Sequence, residues 1–98
     1  MIIVIATLTI APGAQAAIRQ AVAPCIAATW AEAGCISYDL HESVSAPETL
    51  VFVERWESRE ALTAHLDTPH LHAWRKAGGP YILARKIEII HPERVEVL

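Results

Sequence analysis

The residues with the greatest chemical potential lie between Phe52 and Trp74, in a stretch that holds two of the three tryptophans and three of the five histidines. Histidine changes charge near neutral pH, so His65 and His70 are candidate acid–base or pocket residues. Trp56 and Trp74 can supply flat apolar walls for an aromatic ring. The stretch therefore indicates a pocket in which acid–base chemistry acts on a small molecule.

A predicted strand over 49–56 opens this stretch. Side chains alternate along a strand, so Phe52, Glu54 and Trp56 share one face, and a carboxylate stands between two aromatic residues. Glu54 can orient a histidine and raise its basicity. Alternatively, it forms a structural ion pair with one of three arginines, Arg55, Arg59 or Arg85.

Two short helices follow the strand. Ser58 is a predicted N-cap, and Leu62 and His65 lie on the same side of the helix that it opens, facing the interior. His65 is therefore either a base in a pocket or a core histidine bonded to a strand or carboxylate. Thr68-Pro69 begins the second helix, which ends at Gly78-Gly79-Pro80.

Three further residues each have a functional and a structural interpretation. Tyr38 either donates a proton to an oxyanion or belongs to the core. His70 lies at the pocket rim or on the surface, and Arg85 either clamps an anionic substrate group or pairs with a carboxylate. Metal-ligand spacing, a glycine-rich phosphate loop and a nucleotide fingerprint are absent from the sequence, so we predict no metal and no cofactor.

The composition predicts one domain over 1–98 and a partner for it. The chain is 53% hydrophobic with a mean hydropathy of +0.30, and an apolar excess in a small domain favours a homo-oligomer. The formal charge is −3 without a basic stripe, which argues against nucleic acid binding.

The two cysteines, Cys25 and Cys35, lack C-x-x-C spacing and are predicted to be core residues of a protein in a reducing compartment, the cytoplasm. The apolar run 2–11 resembles part of a signal peptide, but no basic residue precedes it. Its β-branched residues predict a first strand. No segment is long and apolar enough to span a bilayer, so no membrane partner is expected.

Periodicity and turn residues predict the element order β-α-β-β-α-β, with strands at 2–10, 35–42, 49–56 and 82–91. This order is typical of a ferredoxin-like α+β fold, a four-stranded antiparallel sheet with helices on one face. The uncovered face is expected to meet that of a second copy, giving a dimeric α/β barrel. The predicted apolar stripe of the first helix is Ile18, Val22, Ile26 and Trp30, and the apolar face of the second strand is Ile36, Tyr38 and Leu40.

Several motifs together resemble a known family. They are Pro-Gly after the first strand, Gly-Cys-Ile-Ser-Tyr at 34–38, Val-Glu-Arg-Trp-Glu-Ser-Arg-Glu-Ala-Leu at 53–62, His65, and Thr68-Pro69-His70. From Ile2 to about Ile90 the chain resembles the antibiotic biosynthesis monooxygenase domain, a dimeric α/β barrel. The resemblance implies oxidation of a small hydroxylated aromatic or quinol with O2, without metal or flavin. The candidate catalytic residues are then His65, Glu54 and Tyr38, and the candidate substrate-binding residues are Trp56, Trp74, His70, Arg85 and Leu62.

Other chemistries on this fold give alternatives. One is an isomerase or lyase that uses the same histidine on a small carbonyl signalling compound. Another is a dimeric binding or stress-response module without turnover. A haem-degrading branch requires an Asn, a Trp and an iron-ligating His at positions where this chain has Ala6 or Thr7, His65 and Arg75, so haem degradation is not expected.

Overall fold

The computed structural model describes residues 1–98 as a four-stranded antiparallel sheet in the order β2-β3-β1-β4, with helices on one face. The predicted ferredoxin-like arrangement is confirmed, and its second helical region consists of two helices, as the two start signals predicted. The elements are β1 (Ile2–Ile10), α1 (Gln15–Trp30), β2 (Cys35–Glu42), β3 (Thr49–Trp56), α2 (Arg59–Leu66), α3 (Pro69–Gly78), a 3-10 turn (Gly79–Tyr81) and β4 (Ile82–Ile90).

The core lies between the helices and one face of the sheet. Along β1, alternate residues from Ile2 to Leu8 are buried, and along β3 the buried residues are the four from Leu50 to Trp56 that share a face. The β1–β3 register places Val4 opposite Glu54. The carboxylate of Glu54 therefore belongs to the apolar face that the helices cover.

Two sequence predictions about side-chain faces are wrong in detail. In β2, a register irregularity between Cys35 and Ser37 leaves Ile36 as an extra residue, 44% exposed, so Cys35 rather than Ile36 lies on the side of Tyr38. A bulge inserts one residue and shifts the alternation by one position on one side of it. Strand alternation alone cannot detect such an insertion.

The buried stripe of α1 also differs from the predicted one. The buried residues are Ile18, Val22, Cys25 and Thr29, whereas Trp30 is 49% exposed and its Nε1 donates a hydrogen bond to the carbonyl of Tyr38 at 3.0 Å. Steps of four residues drift around a helix of 3.6 residues per turn, so a stripe drawn at i, i+4, i+8 and i+12 leaves the buried face.

The short helices begin as predicted. The side chain of Ser58 accepts a hydrogen bond from the amide of Ala61, and that of Thr68 accepts one from the amide of Leu71. Gly34, between α1 and β2, has a φ of +83°, and a Cβ there would lie 2.6 Å from the Cβ of Ala61. Gly34 therefore allows α2 to pack closely against the turn that follows α1.

None of the helices is both long enough and apolar enough to cross a bilayer. The prediction that 2–10 forms a strand is confirmed by β1, which pairs with β3 on one side and with β4 on the other.

Gly78 makes room for Trp74, because a Cβ at Gly78 would overlap the indole ring one helical turn before it. We expect Gly78→Ala to displace the ring and lower the free energy of unfolding by about 1–3 kcal/mol, as overpacking typically does. Urea denaturation followed by tryptophan fluorescence measures the change. Gly79→Ala is the matched control, because its Cβ would have nothing within 4 Å. An equal loss in both variants would attribute the effect to the helix end and not to Trp74.

Candidate active site

A cavity of about 200 Å³ lies between the helix-covered face of the sheet and the helices α2 and α3. Its floor follows β1 from Val4 through Ala6 to Leu8, and most of its lining is apolar. The structure brings six of the predicted site residues to this cavity, and Trp56 and His70 lie outside its lining. The six are Tyr38, Glu54, Leu62, His65, Trp74 and Arg85.

The most strongly connected group beside the cavity is a carboxylate shared by two histidines. Nδ1 of His65 lies 2.7 Å from Oε2 of Glu32, and Nε2 of His70 lies 2.8 Å from the same oxygen. Only 2% of the His65 side chain is exposed, compared with 14% for Glu32 and 21% for His70. One oxygen atom thus joins the turn after α1 to both short helices.

This contact fixes the tautomer of His65. A carboxylate oxygen accepts hydrogen bonds, so we assign the proton of the neutral ring to Nδ1 and its lone pair to Nε2. Every fully buried side-chain nitrogen or oxygen has a hydrogen-bond partner, and Nε2 of His65 has none, so Nε2 is not fully buried. Because His65 lines the cavity, we infer that Nε2 opens into it.

The surroundings of His65 keep it neutral near pH 7. Burial lowers the pKa of His65 below its ordinary value of 6.5, and the hydrogen bond and charge of Glu32 act in the opposite direction. Its ring packs against Trp56, with 4.7 Å between ring centroids, and against Tyr38, with 5.2 Å. The result is an oriented imidazole with its basic nitrogen free.

Glu54 forms no hydrogen bond or ion pair with a histidine or an arginine, so neither of the partners expected from the sequence is found. Its Oε1 accepts a hydrogen bond from Nε1 of Trp56 at 3.0 Å. Burial raises the pKa of Glu54 to about 7, against the lowering effect of the Trp56 hydrogen bond. The cavity therefore contains a second group that can hold or release a proton near neutral pH.

Tyr38 and Trp56 are buried residues whose rings pack against His65. The hydroxyl of Tyr38 lies 3.9 Å from Sγ of Cys25, which does not line the cavity, and burial raises the pKa of Tyr38. Trp56 is fully buried between Glu54 and His65. Tyr38 lines the cavity, and the side-chain partner of its hydroxyl is Cys25, outside the lining.

Sequence reasoning did not select Glu32 or Arg75. The available signal for Glu32 is that it is the only acidic residue among the first 38 and lies two residues before Gly34, where α2 approaches closely. Arg75 follows Trp74 on α3 and lines the cavity, where its charge acts on both Glu54 and His65. The one feature of the sequence that could have pointed to Arg75 is its position directly after Trp74, which was predicted to line the pocket.

Glu32, His65 and His70 also form a donor set that could hold a metal ion, because their ligand atoms lie within 4.8 Å of one another. Two of the separations, 2.7 and 2.8 Å, are hydrogen-bond lengths. Ligands around a tetrahedral ion with bonds of about 2.0–2.1 Å stand about 3.4 Å apart, so a metal would have to spread these groups. The absence of metal and cofactor stays a prediction.

Comparison with known proteins places this geometry in a family. A profile described as antibiotic biosynthesis monooxygenase matches residues 1–77. The chain belongs to this family. It is 36% identical over 104 residues to an Escherichia coli family relative named "Probable quinol monooxygenase YgiN", covering 94% of this chain and 98% of that protein.

A second relative, Rv0793 from Mycobacterium tuberculosis, is 40% identical over 78 residues, covering 80% of this chain and 75% of that protein. The solved structure of Rv0793 superposes with a TM-score of 0.87 at 34% identity and covers 98% of both chains. The family therefore supports monooxygenase function in general terms and confirms the fold.

The buried carboxyl of Glu54 gives a pH-dependent stability. Its pKa is raised from 4.5 to about 7, so its contribution favours the folded state below about pH 4.5 and is lost as the pH rises through about 7. Glu54→Gln keeps an acceptor for Trp56 and removes this titration. Relative to the unchanged protein, the variant should gain about 2–3 kcal/mol between pH 4.5 and 8.

Urea denaturation at the two pH values measures this gain. The control is Glu60→Gln, which makes the same change of residue at an exposed position of α2, outside the cavity. If the free energy of unfolding of Glu54→Gln changes with pH in the same way as that of the unchanged protein, ionisation of Glu54 does not destabilise the folded state.

Proposed function

We propose that this chain is a cofactor-independent monooxygenase that oxidises a small hydroxylated aromatic or quinol with O2. The observation that carries the proposal is the free Nε2 of His65 at an apolar cavity, with Nδ1 held by Glu32 at 2.7 Å. The family supports oxygenation, and the name of the Escherichia coli relative supports a quinol as the substrate class.

The first step is removal of a proton from the substrate hydroxyl by Nε2 of His65. The imidazolium that forms is stabilised by Glu32, and the resulting phenolate is electron-rich enough to pass an electron to O2. The positive charge of Arg75, which acts on His65 and Glu54, also favours the anion. The apolar lining excludes water, which strengthens these interactions.

The overall reaction balances without an added reductant. After electron transfer, the substrate radical and superoxide combine into a hydroperoxide at a ring carbon that carries hydrogen. The proton that His65 took from the hydroxyl completes the hydroperoxide. His65 then accepts the hydrogen of that ring carbon as a proton, the O–O bond breaks, and the departing hydroxide takes this proton and leaves as water. One oxygen atom becomes a carbonyl of the quinone product, and the substrate supplies all four electrons that reduce O2.

Glu54 favours a second candidate function, an isomerase acting on a small carbonyl compound. With a pKa of about 7, it can donate or accept a proton in the same cavity as His65. Two such groups can move a proton between neighbouring carbon atoms without O2. Product formation under strict exclusion of O2 would favour this alternative over oxygenation.

We also propose that two copies pack together through their uncovered sheet faces. Ile3 and Ile5 of β1 and Val51 and Val53 of β3 lie on that face, remain partly exposed and have no helix over them. Obligate dimers typically bury more than about 2,000 Å² in total, an area that a sheet face can supply.

Sedimentation velocity at micromolar concentration should therefore show a dimer. Val53→Lys places a charge in the centre of the proposed interface and should shift the protein to monomers. Ala64→Lys, on the exposed side of α2, is the control and should remain a dimer. A stable monomer of the unchanged chain would contradict the proposed assembly.

The role of His65 is tested by O2 uptake with a panel of quinols and polyphenols. His65→Ala and His65→Gln should each lower turnover by about 10²–10⁴-fold, as loss of a general base does. His72→Ala, at an exposed position of α3, is the control. Native rates in both His65 variants would make His65 a structural residue.

The pH profile separates the base from the residue that orients it. Because the pKa of His65 lies below 6.5, the acidic limb of kcat/KM should lie below that pH. Glu32 raises the pKa of His65, so Glu32→Gln should move the limb to still lower pH as well as reduce the rate. A lower rate with an unmoved limb would mean that Glu32 acts only on stability.

A further inference from the structure

The cavity contains two arginines, Arg75 from α3 and Arg85 from β4, and neither forms an ion pair. The chain has 11 acidic residues and only eight basic ones, so carboxylates are not scarce. Arg19 and Arg94 both find a carboxylate partner. Arg55 and Arg59 form no ion pair either, but Arg75 and Arg85 are the arginines that line the apolar cavity, and both are exposed enough to meet a ligand from solvent.

The register of the sheet places Arg85 far from the end of the cavity that contains Glu54 and His65. Val4 is opposite Glu54, and Leu8 is opposite Arg85, so the two side chains flank the two ends of the cavity floor. Four residues of a strand span about 13 Å. Consistent with this separation, the pKa values of Glu54 and His65 respond to Arg75 and not to Arg85.

The two arginines therefore have different positions relative to the substrate. Arg75 is close enough to the acid–base groups to stabilise the phenolate, whereas Arg85 stands at the opposite end. A cavity of about 150 Å³ accommodates benzene, so the present 200 Å³ suits a substituted single ring or a compact two-ring nucleus. A ring with its hydroxyl at His65 would direct a substituent on its far side toward Arg85.

We propose that the substrate is an anionic hydroxylated aromatic whose carboxylate binds Arg85 while its reacting hydroxyl faces His65. This inference rests on the proposed oxygenase function. A guanidinium matches a carboxylate through two parallel hydrogen bonds, which are stronger than bonds between neutral groups. Arg85 then determines specificity and takes no part in proton or electron transfer.

The test compares two compounds that differ in one charge: methylhydroquinone, and the same molecule with a carboxylate on its methyl carbon. The unchanged protein should oxidise the carboxylate with a kcat/KM at least about tenfold higher, the usual strength of a charged hydrogen bond. Arg85→Gln should abolish this preference by lowering kcat/KM for the carboxylate at least about tenfold more than kcat/KM for methylhydroquinone. Lys76→Gln, at an exposed position of α3 outside the cavity, is the matched control and should change neither rate.

Binding without turnover separates this proposal from the oxygenase function. Quenching of tryptophan fluorescence gives the Kd of para-hydroxyphenylacetate and of neutral para-cresol, and Arg85→Gln should weaken only the former. If neither hydroquinone is oxidised but this charge-dependent binding is found, the oxygenase function fails and the anion site stands.

Equal rates and equal affinities for the charged and neutral compounds would overturn the role of Arg85, even if oxidation is observed. So would an Arg85→Gln variant that loses activity toward both hydroquinones to the same extent, because Arg85 would then support the fold and not select an anion.

Discussion

One carboxylate oxygen, Oε2 of Glu32, holds α2 and α3 to the turn that follows α1, beside the cavity. It receives hydrogen bonds from His65 on α2 and His70 on α3, so neither short helix can move without disturbing a partly buried charged contact. Breaking such a contact is costly because it leaves a charge with poor solvation. The orientation of the base and the roof of the cavity thus depend on the same atom, which comes from outside both helices.

The polarity of the cavity explains why its two ionisable groups differ. Glu54 sits on a strand face whose neighbours Val4 and Phe52 are apolar, with one hydrogen bond from Trp56, so its neutral form is favoured. His65 also loses solvation, but a carboxylate compensates it in part. Burial raises the pKa of the Glu54 carboxyl and lowers that of the His65 imidazole, so Glu54 can hold a proton near neutral pH while His65 stays neutral.

The features that the sequence predicted correctly are those that local rules determine. Alternation along β1 and β3 and the caps at Ser58 and Thr68 define the elements and place Glu54 and His65 on inward faces. The bulge at Ile36 was missed because an inserted residue leaves no mark in a short apolar strand.

The partners of the site residues could not be found in the same way. Glu32 lies in a turn between elements, and only the packing of α2 over Gly34 brings it to His65. Arg75 lines the cavity because of how α3 crosses the sheet, which depends on contacts distant in sequence. The family resemblance indicated a pocket histidine but gave no information on the group that orients it.

The hydrogen bonds of Glu32 span 33 and 38 residues of chain, and this separation has a consequence for folding. Closing loops of that length costs conformational entropy that is recovered only when the surrounding contacts form. The oriented imidazole therefore exists only after the turn following α1 has docked onto both short helices. Under the proposed chemistry, a partly folded chain on the ribosome or after thermal damage has no competent base. Such a chain would not release superoxide from half-completed turnover.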